Sequence, residues 1–327
     1  MILNRLILGN STPASDNVVI IAVPYTSTGP VYYSTNFGYS WSIKTPYGST
    51  GTLLGAYVQN NIVLIGRTST SMVKVELSTD LLVNLSQIPP TARAYPNGLG
   101  ISNNGLVLIA INGSTGGYYN VSTNGGANWI EAPLFTNAWG VAMVSDGSTI
   151  YVTSNSYAYL KKSINSGVSW SDTGNIFSGA YGYGIAMSSD GQHIYVGAYN
   201  KGHYISKSSD YGANFAESLM DTATVGTYYN RVFCSSSGQY VLVTTNAHQR
   251  VYVSNDYGVT WTRVLSSITS LHNCFSNAVS NSGKYMVVAH YSGAGEFYYS
   301  DDYGVTWTTK TISGLSSNIY SIAVNEI

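Results

Sequence analysis

Charge is the scarcest commodity in this sequence. Only 9% of its 327 residues are Asp, Glu, Lys or Arg, and the net charge is −1. Such a chain has neither the basic footprint of a nucleic-acid binder nor a patch that draws anionic membranes, and polyphosphate partners are disfavoured for the same reason. Long apolar runs are missing too. No stretch of 18 apolar residues occurs, so no membrane insertion is expected, and Met1 to Leu8 is too short and interrupted for a signal peptide. Export would then use a signal removed before the numbering begins, lysis, or carriage in a particle. The two cysteines, Cys234 and Cys274, give no disulfide framework and no zinc-ligand spacing. They fall in adjacent repeat units at different heights, which leaves a disulfide open but not favoured. No cofactor and no metal is expected.

What is abundant is Tyr and Gly, 29 and 34 residues, among many Ser, Thr and Asn. Tyrosine offers stacking area with a hydrogen-bonding tip and suits adaptable recognition surfaces. It is equally a good filler of strands, and both readings stand.

The order of these residues is more informative than their number. An eight-residue phrase, Ser-x-Asp/Asn-x-Gly-x-x-Trp/Phe, begins at Ser34, Ser122, Ser163, Ser208, Ser254 and Ser300, and a worn copy lacking Gly and Trp begins at Ser78. With the worn copy included, the period stays between 41 and 46 residues, which is a propeller-blade period. Strand-like runs flank each copy, so the phrase reads as a hairpin turn. Asp or Asn caps the turn backbone, Gly supplies a positive φ, and the aromatic packs the turn on a neighbouring sheet. A second motif keeps step with it: Gly184 to Gly197, Gly140 to Thr153, Val232 to Thr244, Ala278 to Ala289 and, more loosely, Gly100 to Ala110 each read strand, tight turn, strand.

These patterns predict an all-β fold, a seven-bladed β-propeller of four-stranded antiparallel blades, A to D, with the phrase between C and D. Residues 1–327 form one domain in this reading. The C-terminal segment 318–325 supplies the missing first strand of the N-terminal blade, with Arg5 to Gly9 as the competitor for that place. The A-to-B and C-to-D turns then share one face, and the B-to-C and D-to-A loops, which vary in composition, share the other.

The phrase resembles the Asp-box, or BNR repeat, found in bacterial and viral sialidases, xyloglucan-degrading hydrolases, a photosystem assembly factor and sortilin-type sorting receptors. The resemblance covers nearly the whole chain and implies a sialidase-like propeller fold. It does not select a function, because the family spans enzymes, receptors and assembly factors.

Aligning the A strands on Ala142, Ala186, Phe233, Ala278 and Ala323 brings further residues into register at their upstream ends. Three positions before the aligned residue stand Asn97, Trp139, Tyr183, Asn230, Phe275 and Tyr320. Five before stand Tyr95, Asn137, Tyr181, Tyr228, Asn273 and Asn318. The B-to-C loops add Tyr199, Asn200, His203, His248, Arg250, His290 and Glu296 on the same face, and Arg231 lies beside Asn230. The candidate ligand-binding set is therefore Tyr95, Asn137, Trp139, Tyr181, Tyr183, Tyr228, Asn230, Arg231, His248, Arg250, Asn273, His290 and Tyr320, a Tyr/Asn/Trp funnel suited to sugar faces and hydroxyls. Inter-blade packing is the competing account of the aligned positions, and solvation that of the loop histidines.

Catalysis finds less support. A sialidase-like site, as the resemblance implies, needs an arginine triad, a Tyr nucleophile primed by Glu, and an acid/base Asp. Tyr228 or Tyr229 with Glu296 and Asp221 would have to serve, and the family's Arg-Ile-Pro signature is absent. A two-carboxylate glycosidase would also be left with Asp221 and Glu296, because Asp146, Asp190, Asp210, Asp256, Asp301 and Asp302 fall in turns. The expectation is a recognition or structural propeller for a glycan or protein surface, secreted or on a virus or phage particle, with a glycoside hydrolase as the alternative.

Overall fold

Each repeat contains one strand whose residues are nearly all β-branched or apolar, as in Val18–Pro24, Ile150–Ser154, Ile194–Tyr199, Val241–Thr245 and Met286–Ala289. Such a run is the mark of a strand covered on both faces, and these strands are buried along almost their whole length. In the computed structural model the described residues are 18–24, 30–45, 53–59, 62–68, 73–78, 86–88, 96–112, 117–134, 136–154, 156–222, 230–245, 250–266, 268, 276–289 and 295–326. Among them there is no helix, and the strands form seven four-stranded antiparallel sheets.

The first sheet runs Ile319–Glu326, Val18–Pro24, Val31–Ser34, Ser42–Lys44, and the second Leu53–Gln59, Ile62–Thr68, Val73–Ser78, Ser86–Ile88. The third is Pro96–Ile101, Leu108–Asn112, Tyr118–Ser122, Ile130–Pro133, and the fourth Ala138–Met143, Ile150–Ser154, Lys161–Ser163, Ser171–Asp172. The fifth is Tyr181–Met187, Ile194–Tyr199, Tyr204–Ser208, Ala216–Leu219, and the sixth Asn230–Cys234, Val241–Thr245, Val251–Ser254, Thr262–Val264. The seventh is Ser276–Val279, Met286–Ala289, Glu296–Ser300, Thr308–Thr311. The strand named first in each sheet is the inner one. Every inner strand touches that of the next sheet, and the seventh touches the first, so the contacts run in a closed circuit. This is a β-propeller.

The C-terminal strand pairs antiparallel with Val18–Pro24, from Val18 opposite Glu326 to Pro24 opposite Ile319. Apolar side chains of neighbouring sheets interlock between them. Phe297, Tyr285 and Val287 of the seventh, for example, meet Ile20, Ile322 and Val324 of the first. Arg5 to Gly9 and the box that follows Ser78 lie outside the described residues. So does Cys274, while Cys234 carries a free thiol that burial pushes up to about 12.

The repeated phrase is a hydrogen-bonded turn between third and outer strands. In the sixth sheet Ser254 Oγ donates to Asp256 Oδ1 (2.8 Å) and accepts from the Gly258 amide (2.8 Å), while Asp256 Oδ1 accepts from the Thr260 amide (2.8 Å). The same bonds recur at Ser34, Ser122, Ser163, Ser208 and Ser300. The aromatic reaches the preceding sheet: Trp41 lies 5.8 Å from Phe297, and Trp170 5.3 Å from Tyr119, centroid to centroid. Glycine takes a positive φ as expected, and so does the residue before it, Phe37, Ser166, Tyr211, Tyr257 and Tyr303 with φ of 56° to 62°. That second left-handed residue aims its amide at the turn between inner and second strands, as in Tyr211 N to Gln192 O and Tyr303 N to Lys284 O. Both sets of turns therefore share one face.

Candidate functional site

The inner strands of the third, fourth, fifth and first sheets each break register near their upstream ends. The partner pairs jump from Pro96 to Gly98, Ala138 to Val141, Gly182 to Ile185 and Ile319 to Ser321. The residues inside these bulges are Asn97, Trp139, Tyr183 and Tyr320, those that sequence alignment placed in one column. A bulge re-aims a side chain, and here it gathers aromatic rings at one mouth of a central channel. Gly98 and Gly140 make the gathering sterically feasible: a Cβ on Gly98 would stand 2.9 Å from the Trp139 carbonyl oxygen, and one on Gly140 2.7 Å from that of Tyr183.

The channel has a volume of about 260 Å³ and is lined by six of the inner strands. Trp139, Tyr183 and Arg231 line it, from the fourth, fifth and sixth sheets. The Trp139 and Tyr183 rings lie 4.8 Å apart at 33°. Tyr183 is 7% exposed. Burial pushes its phenol above the usual tyrosine range, while the Arg231 guanidinium, which hydrogen-bonds it, pulls the other way and nearby Tyr320 adds to the rise. Arg231 is the only charged residue along the described lining. Among the described residues the mouth thus offers flat apolar rings, a phenol and one cation, and no carboxylate: it can stack, donate hydrogen bonds and hold an electron-rich group.

The other predicted residues are placed differently. Tyr181, 38% exposed, stacks on Tyr199, the residue opposite it in the sheet, at 6.3 Å. Asn137 sits at φ 56° and donates its amide to Ser156 Oγ at 2.8 Å. Asn230 begins the sixth inner strand. Tyr95, Tyr228, His248, Asn273 and His290 lie outside the described residues.

Arg250 belongs to a second cluster, between the fifth and sixth sheets on the face away from the boxes. Its Nη1 donates to Asp221 Oδ2 at 2.8 Å and lies 3.0 Å from His203 Nε2. Tyr252 Oη donates to Asp221 Oδ2 at 2.9 Å and sits 3.4 Å from His203 Nδ1. A guanidinium only donates, so a hydrogen bond between these two groups needs Nε2 of His203 as its acceptor. His203 and Tyr252 are each 1% exposed. Burial lifts the Tyr252 phenol to about 12, helped by Asp221 and opposed by Arg250. Asp221 is thus occupied in tying two sheets together. Glu296, four residues before its box serine as Arg250 is before Ser254, accepts from Tyr298 Oη at 2.8 Å. Sequence reasoning missed Tyr252. Its signal was the recurrence of Tyr two residues before the box serine, at Tyr32, Tyr252 and Tyr298. Among the described residues no group of three or more His, Cys, Asp or Glu is placed to hold a metal ion.

Comparison with known proteins supports the fold. The profile of the BNR/Asp-box repeat matches residues 298–309. No curated protein matches in sequence. Among solved structures, the GH74 xyloglucanase from Xanthomonas campestris superposes with a TM-score of 0.68 at 14% identity, covering 94% of this chain and 52% of that one. The chain therefore spans about half the length of that enzyme. A putative 6-phosphogluconolactonase from Bacteroides fragilis gives a TM-score of 0.68 at 13% identity, covering 96% and 99% of the two chains. YCF48 bound to D1 peptide gives 0.59 at 15%, covering 90% and 94%. At these identities the likeness is one of fold: this chain is a β-propeller, and one of its repeated turns matches the BNR/Asp-box repeat.

Proposed function

We propose that the chain is a single seven-bladed ring, closed by its C-terminal strand, that works as a recognition module rather than a catalyst. It binds a glycan at the channel mouth, and it does so outside the cell or on a particle surface. The observation that carries this reading is the meeting of Trp139, Tyr183 and Arg231, from three different sheets, around one channel. Aromatic faces beside hydrogen-bonding tips suit the apolar face and hydroxyl rim of a sugar. A structure of the nidogen/laminin complex is also similar, with a TM-score of 0.57 at 10% identity, and YCF48 is bound to a peptide. Both make a protein surface the outcome to watch for if glycans fail.

A glycan array read with wild type and with Trp139→Ala, Tyr183→Phe and Arg231→Gln tests the reading. Loss of binding in the Trp139 and Arg231 variants supports it, whereas binding unchanged in all three sinks it. The hydrolase alternative rests on Asp221 and Glu296. A polysaccharide panel degraded by wild type but not by Asp221→Ala or Glu296→Ala would replace recognition with catalysis.

A further inference from the structure

The far end of the channel is built from a second recurring turn. After each inner strand of the third to seventh sheets the chain turns through Asn103, Ser145, Ser189, Ser236 or Asn281, all of which line the channel. Their main chains are linked hand to hand around the axis. The amide of Asn103 donates to Ser145 O (2.8 Å), Ser145 to Ser189 O (2.8 Å), Ser189 to Ser236 O (2.8 Å) and Ser236 to Asn281 O (2.9 Å). The residue before each of these, where it is serine, bonds inside its own turn, as Ser188 Oγ does to Asp190 Oδ1 and Ser102 Oγ to Asn104 Oδ1.

The first sheet breaks the pattern. Its inner strand runs straight on to Glu326 without turning, and Asn325 stands where the serine would be. Asn325 Oδ1 accepts the Asn281 amide at 3.4 Å and so continues the circle with a side chain. Its Nδ2, however, is buried and meets no acceptor among the described residues, because there is no turn for it to bond. Asn325 is 1% exposed and lines the channel. An amide donor in that state costs about 1–3 kcal/mol if nothing satisfies it.

We infer that this end of the channel is a separate subsite for a neutral, hydroxyl-bearing ligand group, which accepts a hydrogen bond from Asn325 Nδ2 and exchanges others with the neighbouring serines. An anion is disfavoured there. The main-chain amides that would form an anion nest are spent on neighbouring carbonyls, the side chains offer acceptors as well as donors, and the only cation of the described lining, Arg231, belongs to the other mouth. The inference stands without the aromatic mouth, and its test separates the two.

In ¹⁵N-labelled protein the side-chain amide pair of Asn325 is followed while xylitol, and separately maltotriose, is added. A saturable shift with at least one probe is expected. Ser189→Ala and Ser236→Ala, which leave the C-terminal strand untouched, should each weaken that affinity about fivefold, the effect of one lost hydrogen bond, while Trp139→Ala leaves xylitol affinity within about twofold. An amide pair that neither probe moves, and that shows only magnetisation transfer from bound water, overturns the subsite. So does a shift that persists at full affinity in both serine variants. A loss of glycan-array binding confined to Trp139→Ala bears on the mouth alone.

Discussion

At the scale of single residues the chain spends its polar side chains on turns. Ser254 is 1% exposed and serves three groups of its own turn at once. Ser254→Ala strands a buried amide, and a loss of about 1–3 kcal/mol in urea unfolding is expected. The box acids make a pH prediction. Hydrogen bonds from the Asn214 main chain and side chain and from Ser208 hold Asp210 down to about 2. Asp256 and Asp302 are pushed up by burial, yet bonds from Thr260 and Ser254, and from Thr306 and Ser300, bring both below the usual carboxylate range. A depressed folded pKa means that the stabilisation is present above the unfolded value near 3.8 and is lost as pH falls through the folded one. In Asn36, Asn124 and Asn165 a neutral amide oxygen accepts the same turn amide. The triple variant Asp210→Asn, Asp256→Asn, Asp302→Asn should therefore fold, with thermal stability that falls less between about pH 4 and pH 2 than that of wild type. An equally steep acid limb would show that the boxes are not the acid-sensitive element.

At the scale of elements the decisive detail is the bulge in the inner strands. Gly140→Ala puts a methyl group against the Tyr183 carbonyl, and overpacking of this kind costs about 1–3 kcal/mol. Because the push comes at the mouth, the tryptophan emission should change together with stability. An unaltered spectrum in a destabilised variant would mean that the rings do not depend on the glycine. This element also shows how far the sequence can be read. Period, turn chemistry and the column holding Trp139 and Tyr183 follow from residue types at fixed spacing, since a turn needs particular φ angles and a strand needs alternate burial. The bulge that turns this column inward leaves one trace in residue type, the glycine that follows at Gly98, Gly140 and Gly184, and its effect on side-chain direction is visible only in the pairing. The left-handed Tyr211, Tyr257 and Tyr303 are hidden for the same reason, because a bulky residue there runs against its own preference and is held by the bonds around it. The Asp221–Arg250–Tyr252–His203 cluster joins two sheets and depends on long-range packing that no local pattern encodes.

At the scale of the whole molecule the C-terminal strand completes the circle of contacts. Ser282 Oγ and amide bond the Glu326 carboxylate at 2.5 and 3.0 Å, tying seventh sheet to first. Glu326→Ala should lower stability by about 1 kcal/mol, measured by denaturant titration. Removing residues 319–327 should do more, since it bares the edge of Val18–Pro24, an invitation to strand pairing between molecules. Gel filtration would then show oligomers in place of a single species, and an unchanged profile would remove the strand from its closing role. The pairing has one more consequence, a mechanical one. Val18 lies opposite Glu326, so the segments leading into residue 18 and out of residue 326 leave the ladder at the same end. Tension applied through them loads the seven paired positions one after another, as a zipper is opened, and not all together in shear. Pulled through residues 18 and 326, the propeller should yield at low force by peeling this one strand pair, whereas a handle placed on opposite sheets would meet the resistance of the whole circle.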